Sequence, residues 1–94
     1  MVIKSFRDRA TRRLWRERRT RALPADAAQR AYDKLVQLDL AQTLDDLRVP
    51  PGNRLEKLSG DRAGQHSIRI NRQYRVCFVW EEGDAHEVEV TDYH

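Results

Sequence analysis

Arg69, Arg75 and the terminal triplet Asp92-Tyr93-His94 are the residues of this chain whose types and spacing suit chemistry on a phosphodiester. Two period-2 runs meet at Asn71–Gln73. Written as strands, they place Ile68, Ile70, Tyr74, Val76, Phe78 and Trp80 on one face and Arg69 and Arg75 on the other. The register that pairs Ile70 with Tyr74 and Ile68 with Val76 sets Arg69 directly opposite Arg75. Like charges facing each other on a sheet are destabilising. A phosphate between the two guanidiniums would relieve this, because each presents a planar donor fork; the plainer reading is a pair of solvated surface arginines. If Gly83 centres a second turn, Phe78 pairs with Val88 and Val76 with Val90. Thr91 and Tyr93 then join the arginine face, while Asp92 and His94 project the other way at a free end. Metal-free RNA cleavage needs a base for the 2′-hydroxyl, a proton donor for the 5′-oxygen and cations on the phosphorane. Two guanidiniums, a phenol, a carboxylate and an imidazole match that set.

Each member also has a structural reading. Tyr93 suits a packing aromatic at a sheet edge, and His94, as the last residue of this sequence, suits a fraying end. Asp92, His94 and His86 lack a recognisable metal-ligand spacing, and no metal or other cofactor is expected. Glu56 and Lys57 alternate along a strand, so at most one faces the site. Cys77 reads as a small sheet residue rather than a nucleophile. Walker, GxSxG and dinucleotide-binding patterns are absent.

The elements that must hold these groups are short. The chain has 94 residues, 35% charged and 39% hydrophobic, enough for one domain spanning residues 1–94 with a thin core. Its net charge of +3 comes from 15 Arg and 3 Lys against 15 acidic residues. Arginine dominance suits phosphate and base-edge recognition, although a GC-rich coding bias would produce it too. One cysteine excludes an internal disulfide framework or a Cys-based zinc cage. No run reaches the roughly 18 apolar residues that span a bilayer, and MVIKSFRDRA lacks a signal-peptide apolar region. The expected location is the cytoplasm, with no membrane contact.

Val2–Phe6 is a short β-favouring run. Arg7–Arg21 carries eight arginines, and a helix there would lay Phe6, Ala10 and Leu14 on the core, with Trp15 at the stripe's edge. Arg12, Arg13 and Arg16 would cover the outer faces, as a nucleic-acid docking surface or as a solvated stripe. Pro24-Ala25-Asp26 opens a second helix, running to about Asp39 or Leu40. Its inward stripe is Ala28, Ala31, Leu35 and Leu38, widened by Ala27, Tyr32 and Leu40. Thr43 caps a short turn, and Val49-Pro50-Pro51-Gly52-Asn53 separates the helical from the β half. Arg54–Leu58 is a short strand candidate. The order β-α-α-β-β-β predicts an α+β fold with two N-terminal helices packed on one face of an antiparallel sheet.

Several stretches together resemble the HigB-type toxins, plasmid-maintenance killer proteins of the RelE/ParE superfamily. They are Pro50-Pro51-Gly52-Asn53-Arg54-Leu55-Glu56, Gly60-Asp61-Arg62, Ser67-Ile68-Arg69-Ile70-Asn71, Arg75-x-Cys77-Phe78-x-Trp80 and Asp92-Tyr93-His94. The likeness extends over essentially the whole chain. It implies a RelE-like fold and a metal-independent endoribonuclease that cuts mRNA in the ribosomal A site. It also implies a HigA-type helix-turn-helix antitoxin as partner, through which alone the toxin would meet DNA. By the resemblance Arg75 holds the scissile phosphate, His94 or Asp92 transfers protons, and Tyr93 stacks or orients. Some members have His where this chain has Glu56, Lys where it has Ser59 and Arg where it has Asn71. Those departures remove cations; Arg69 and Lys57 are the candidates to replace the lost charge, Asn71 stands with them as a phosphate-binding position, and Glu56 is a candidate base. A gyrase-inhibiting ParE-like toxin and a non-catalytic cationic RNA-binding domain are the competing readings.

Overall fold

The first helix starts at a cap that the sequence supplies. In the computed structural model, which describes residues 1–92, helix α1 spans Arg9–Glu17. Asp8 Oδ1 accepts a hydrogen bond from the Thr11 amide at 3.0 Å, satisfying one of the first-turn donors. The helix is shorter than the Arg7–Arg21 stretch because Arg18 turns left-handed at φ 60° and closes the last turn onto Leu14 O. The Arg18 guanidinium then lies 4.6 Å over the ring of Tyr32, and Trp15 meets the same ring at 5.7 Å. Helix α2 spans Ala25–Leu40, with Pro24 as its N-cap rather than inside its first turn. Ala27, Ala28, Ala31, Leu35 and Leu38 are its buried residues. Leu40 does not widen that stripe: it is 73% exposed at the helix end.

Thr43 and Asp46 form a reciprocal capping box at the 3₁₀ turn Leu44–Arg48. A second 3₁₀ turn, Pro51–Asn53, follows. Asn53, fully buried, ties this turn to α2. Its Oδ1 accepts from Lys34 Nζ at 2.6 Å. Its Nδ2 donates to Gln37 Oε1 and Leu47 O, both at 3.1 Å.

Four strands then form one antiparallel sheet in chain order: β1 (Glu56–Lys57), β2 (His66–Arg69), β3 (Arg75–Glu81) and β4 (Asp84–Thr91). Ile68 pairs with Val76 and Arg69 with Arg75, as the alternation predicts. Val76 pairs with Val90, and Arg75 with Thr91. The expected Phe78–Val88 pairing is interrupted, because the register shifts between Cys77 and Val79. Glu87, at φ 51°, is the extra residue on β4.

The N-terminal run is not a regular strand. It lies parallel to β4 through two isolated bridges, Ile3 with Ala85 and Phe6 with Val88. The Ser5 hydroxyl accepts from the amide of the bulged Glu87 at 2.8 Å, and Asp39 Oδ1 accepts from the amides of Val2 and Ile3. Thus the first strand of the expected order is an edge fastening, and the sheet proper has four strands after the helices.

Leu14, Ala31, Leu35, Leu38 and Leu47 pack against Ile68, Val76, Phe78 and Val88 in one core. Thr11, only 2% exposed, stitches α1 to the sheet by accepting from the Val90 amide at 2.9 Å. Both helices therefore occupy one face, and the Arg69/Arg75 face is left to the loops.

Candidate nucleic-acid interface

The β2–β3 pairing forces Arg69 and Arg75 side by side, and local bonds keep them apart in orientation. Arg69 Nε donates to Asn71 O at 3.0 Å. Arg75 Nε donates to Ser67 Oγ, and Nη2 to Arg54 O, each at 2.8 Å. Nη2 also meets Glu56 Oε1 at 3.5 Å. The Arg75 side chain is only 15% exposed while Glu56 is 54% exposed, so this guanidinium is a seated cation beside a solvated carboxylate. Nη1 has no partner among the described residues, which leaves donors for a ligand.

Beside this pair opens a cleft of about 450 Å³ walled by Arg54, Arg69, Arg72 and Arg75, with Glu56 and the Asn71–Gln73 loop. Among the described lining residues four guanidiniums stand against one carboxylate, a balance suited to an anion. The loop is held in an Asx turn: Asn71 Oδ1 accepts from the amides of Gln73 and Tyr74 at 2.9 and 2.8 Å. The side-chain oxygen of Asn71 is therefore committed to shaping the wall, while the residue itself lines the cleft. Asp92 is anchored to the same loop, its Oδ2 accepting from Gln73 Nε2 at 3.0 Å.

Lys57 is not brought to this group. It pairs with His66, whose ring stacks on core Phe78 at 6.3 Å, so strand alternation turns Lys57 toward the helix-covered side. Burial, and then the charge of Lys57, lower the His66 pKa and favour its neutral form. Tyr93 and His94 lie outside the described residues. Arg12, Arg13 and Arg16 are exposed on α1 and share no lining residue with the arginine cleft. Arg13 pairs with Glu17 at 3.3 Å, and Arg12 and Arg16 flank a separate groove with Lys4 and Trp15. Cys77 is fully buried on the arginine side of the sheet. Its thiol is pushed up to about 11, mainly by burial, which disfavours the thiolate that nucleophilic chemistry needs.

Arg54 and Arg72 are cleft residues that strand patterning passed over. Their signal was adjacency, since Arg72 sits inside the predicted turn and Arg54 just ahead of Glu56. Arg62 entered only through the Gly60-Asp61-Arg62 motif, with no role of its own. Its Nη1 bridges Glu89 Oε1 and Gln65 Oε1, both at 3.1 Å, which ties the 3₁₀ turn Gly60–Arg62 down over the sheet. Among the described residues no cluster of His, Cys, Asp and Glu could hold a metal ion, and no helix is long and apolar enough to cross a membrane.

Over residues 4–94 the chain matches the family described as the RelE-like toxin of type II toxin-antitoxin system HigB. It is 46% identical to "Toxin HigB-1" of Vibrio cholerae over 69 residues, 73% of each chain. It is 32% identical to "Endoribonuclease HigB" of Proteus vulgaris over 93 residues, which cover 99% of this chain and all of that one. Its fold resembles a chain of the YoeB-YefM complex from Staphylococcus aureus, with TM-score 0.61, 14% identity and coverage of 100% and 99% of the two chains.

Proposed function

The chain belongs to the HigB-like toxins, the RelE-like toxins of type II toxin-antitoxin systems, and from that premise we propose that it is an endoribonuclease acting on mRNA in the ribosomal A site. The observation that carries the reading is Arg75, seated by Ser67 and Arg54 in a cleft walled by four arginines. A cation with donors to spare is suited to the charge that develops on phosphorus as the 2′-hydroxyl attacks. The relative named as an endoribonuclease spans the full chain length, which supports carrying the activity across.

In this reading Arg75 binds the scissile phosphate and Arg69 a neighbouring charge on the same strand. Asp92, held beside the cleft by Gln73, and His94 are the proton-transfer candidates, and Tyr93 orients the base. Glu56, paired with Arg75, is the alternative base. The partner is a HigA-type helix-turn-helix antitoxin, and its gene would lie next to the toxin's.

Expression in cells followed by mapping of mRNA 5′ ends tests the proposal. New ends inside translated codons are expected, and they should vanish in Arg75→Ala. DNA breaks with intact mRNA would instead mark a gyrase inhibitor. If Glu56→Ala cuts normally while His94→Ala does not, Glu56 is not the base.

A further inference from the structure

The β2–β3 loop does not only wall the arginine cleft. On its other side lies a second groove of about 560 Å³, lined by Arg30, Lys34, Gly52 and Asp26 and by the same loop residues, Arg69 through Gln73. The two grooves share Arg69, Asn71, Arg72 and Gln73, so the loop is a saddle between them. Arg72, exposed in the middle of the loop, borders both.

The second groove has its own built cations. Lys34 Nζ is fixed by buried Asn53 at 2.6 Å, and Arg30 stands one turn earlier on α2, exposed and without an ion-pair partner among the described residues. Arg69 contributes from the loop side, and Asp26 is the one carboxylate on the lining. At Gly52 a side chain would meet nothing within 4 Å, so that wall is open.

We propose that the RNA path crosses the saddle, so that the second groove holds a backbone phosphate of the single strand flanking the one at Arg75. This rests on the RNA reading above and adds to it a second, non-reacting anchor. Neither groove is a closed pocket for a small anion. A chain of phosphates is the ligand that would engage both sides of one loop, and single-strand binding uses such cationic tracks. A folded acidic protein surface would not thread past the loop in this way.

The test uses the intact chain and two uncuttable probes, a 2′-O-methyl RNA trinucleotide and a decamer of the same sequence. Affinity is read by fluorescence anisotropy across a salt series. The decamer should bind more tightly than the trinucleotide. Arg30→Glu, on the exposed far wall, should weaken the decamer roughly fivefold and flatten its log–log salt slope by about 0.7, one single-strand phosphate. Asp26→Arg should strengthen it and steepen the slope by a similar amount. The trinucleotide should respond to neither.

Unchanged decamer binding in both variants overturns the second groove, as does an equal response of the two probes. If the wild-type chain cuts mRNA in cells while the decamer results fail, the track is refuted and the nuclease reading stands. If the wild-type chain neither cuts nor binds RNA, both fall together.

Discussion

Replacing Arg75 by alanine removes a guanidinium whose tethers are known, so its cost to folding and to activity can be estimated separately. Its bonds to Ser67 Oγ and Arg54 O, both 2.8 Å, contribute about 1 kcal/mol each. The contact with the half-exposed Glu56 at 3.5 Å adds less than about 1 kcal/mol. Against this, the substitution relieves the facing of Arg69 and Arg75, which returns roughly 0.2–1 kcal/mol. Net destabilisation should therefore be about 1–3 kcal/mol, and the chain stays folded. Loss of a preorganised donor at the developing charge costs about 100- to 1,000-fold in rate. Arg75→Lys keeps one charge but cannot hold both tethers and also face the phosphate, so its rate should fall between alanine and wild type. Urea melts give the first quantity; single-turnover cleavage of mRNA on programmed ribosomes gives the second. A rate for Arg75→Ala within about threefold of wild type would refute the assignment. So would a folding loss large enough to explain the missing activity.

Three other outcomes are expected. Asn53→Ala should destabilise the chain by roughly 2–4 kcal/mol in urea, since it breaks the buried link from Lys34 and Gln37 to Leu47 O. Cys77 should resist thiol reagents at pH 8 until the chain is unfolded. Burial raises its pKa from 9.0 to about 11, so the folded state favours the neutral thiol. The stability this group contributes is present below pH 9 and is lost as pH climbs toward 11, a fall that Cys77→Ala should lack. Charge reversal of Arg12, Arg13 and Arg16 together should weaken ribosome binding and flatten its salt dependence; unchanged affinity would make that stripe a solvated helix face.

Much of the fold is legible because short-range pattern and turn chemistry agree. The Asn71–Gln73 turn and the alternation on either side of it admit one register that buries Ile68 with Val76, and that register is observed. The stripe Ala28, Ala31, Leu35 and Leu38 is buried as its spacing requires. Register broke down where a bulge inserted a residue. Nothing in Glu87 itself signals a left-handed conformation, and the Ser5 hydroxyl that meets its amide comes from the other end of the chain. Lys57 was ambiguous for a similar reason. A two-residue strand shows no alternation, and only its pairing with His66 decides which way it faces.

What the sequence determined by itself was the pair Arg69 and Arg75 on one face, because the register that buries Ile68 with Val76 and Ile70 with Tyr74 sets the two arginines opposite each other. It also determined the family, through motifs distributed along the whole chain. Tertiary structure decided what that pair becomes. Arg54 reaches the cleft because the Pro51–Asn53 turn, tied to α2 by Asn53, delivers its carbonyl to Arg75. Arg72 joins because an Asx turn shapes the loop. The Arg54–Arg75 contact links residues far apart in the chain and no local pattern encodes it; the Asx turn is local, and it is the sheet that brings its Arg72 beside Arg54 and Arg75. Two facing arginines are a repulsion written in sequence; the fold makes them part of the wall of an arginine-lined cleft.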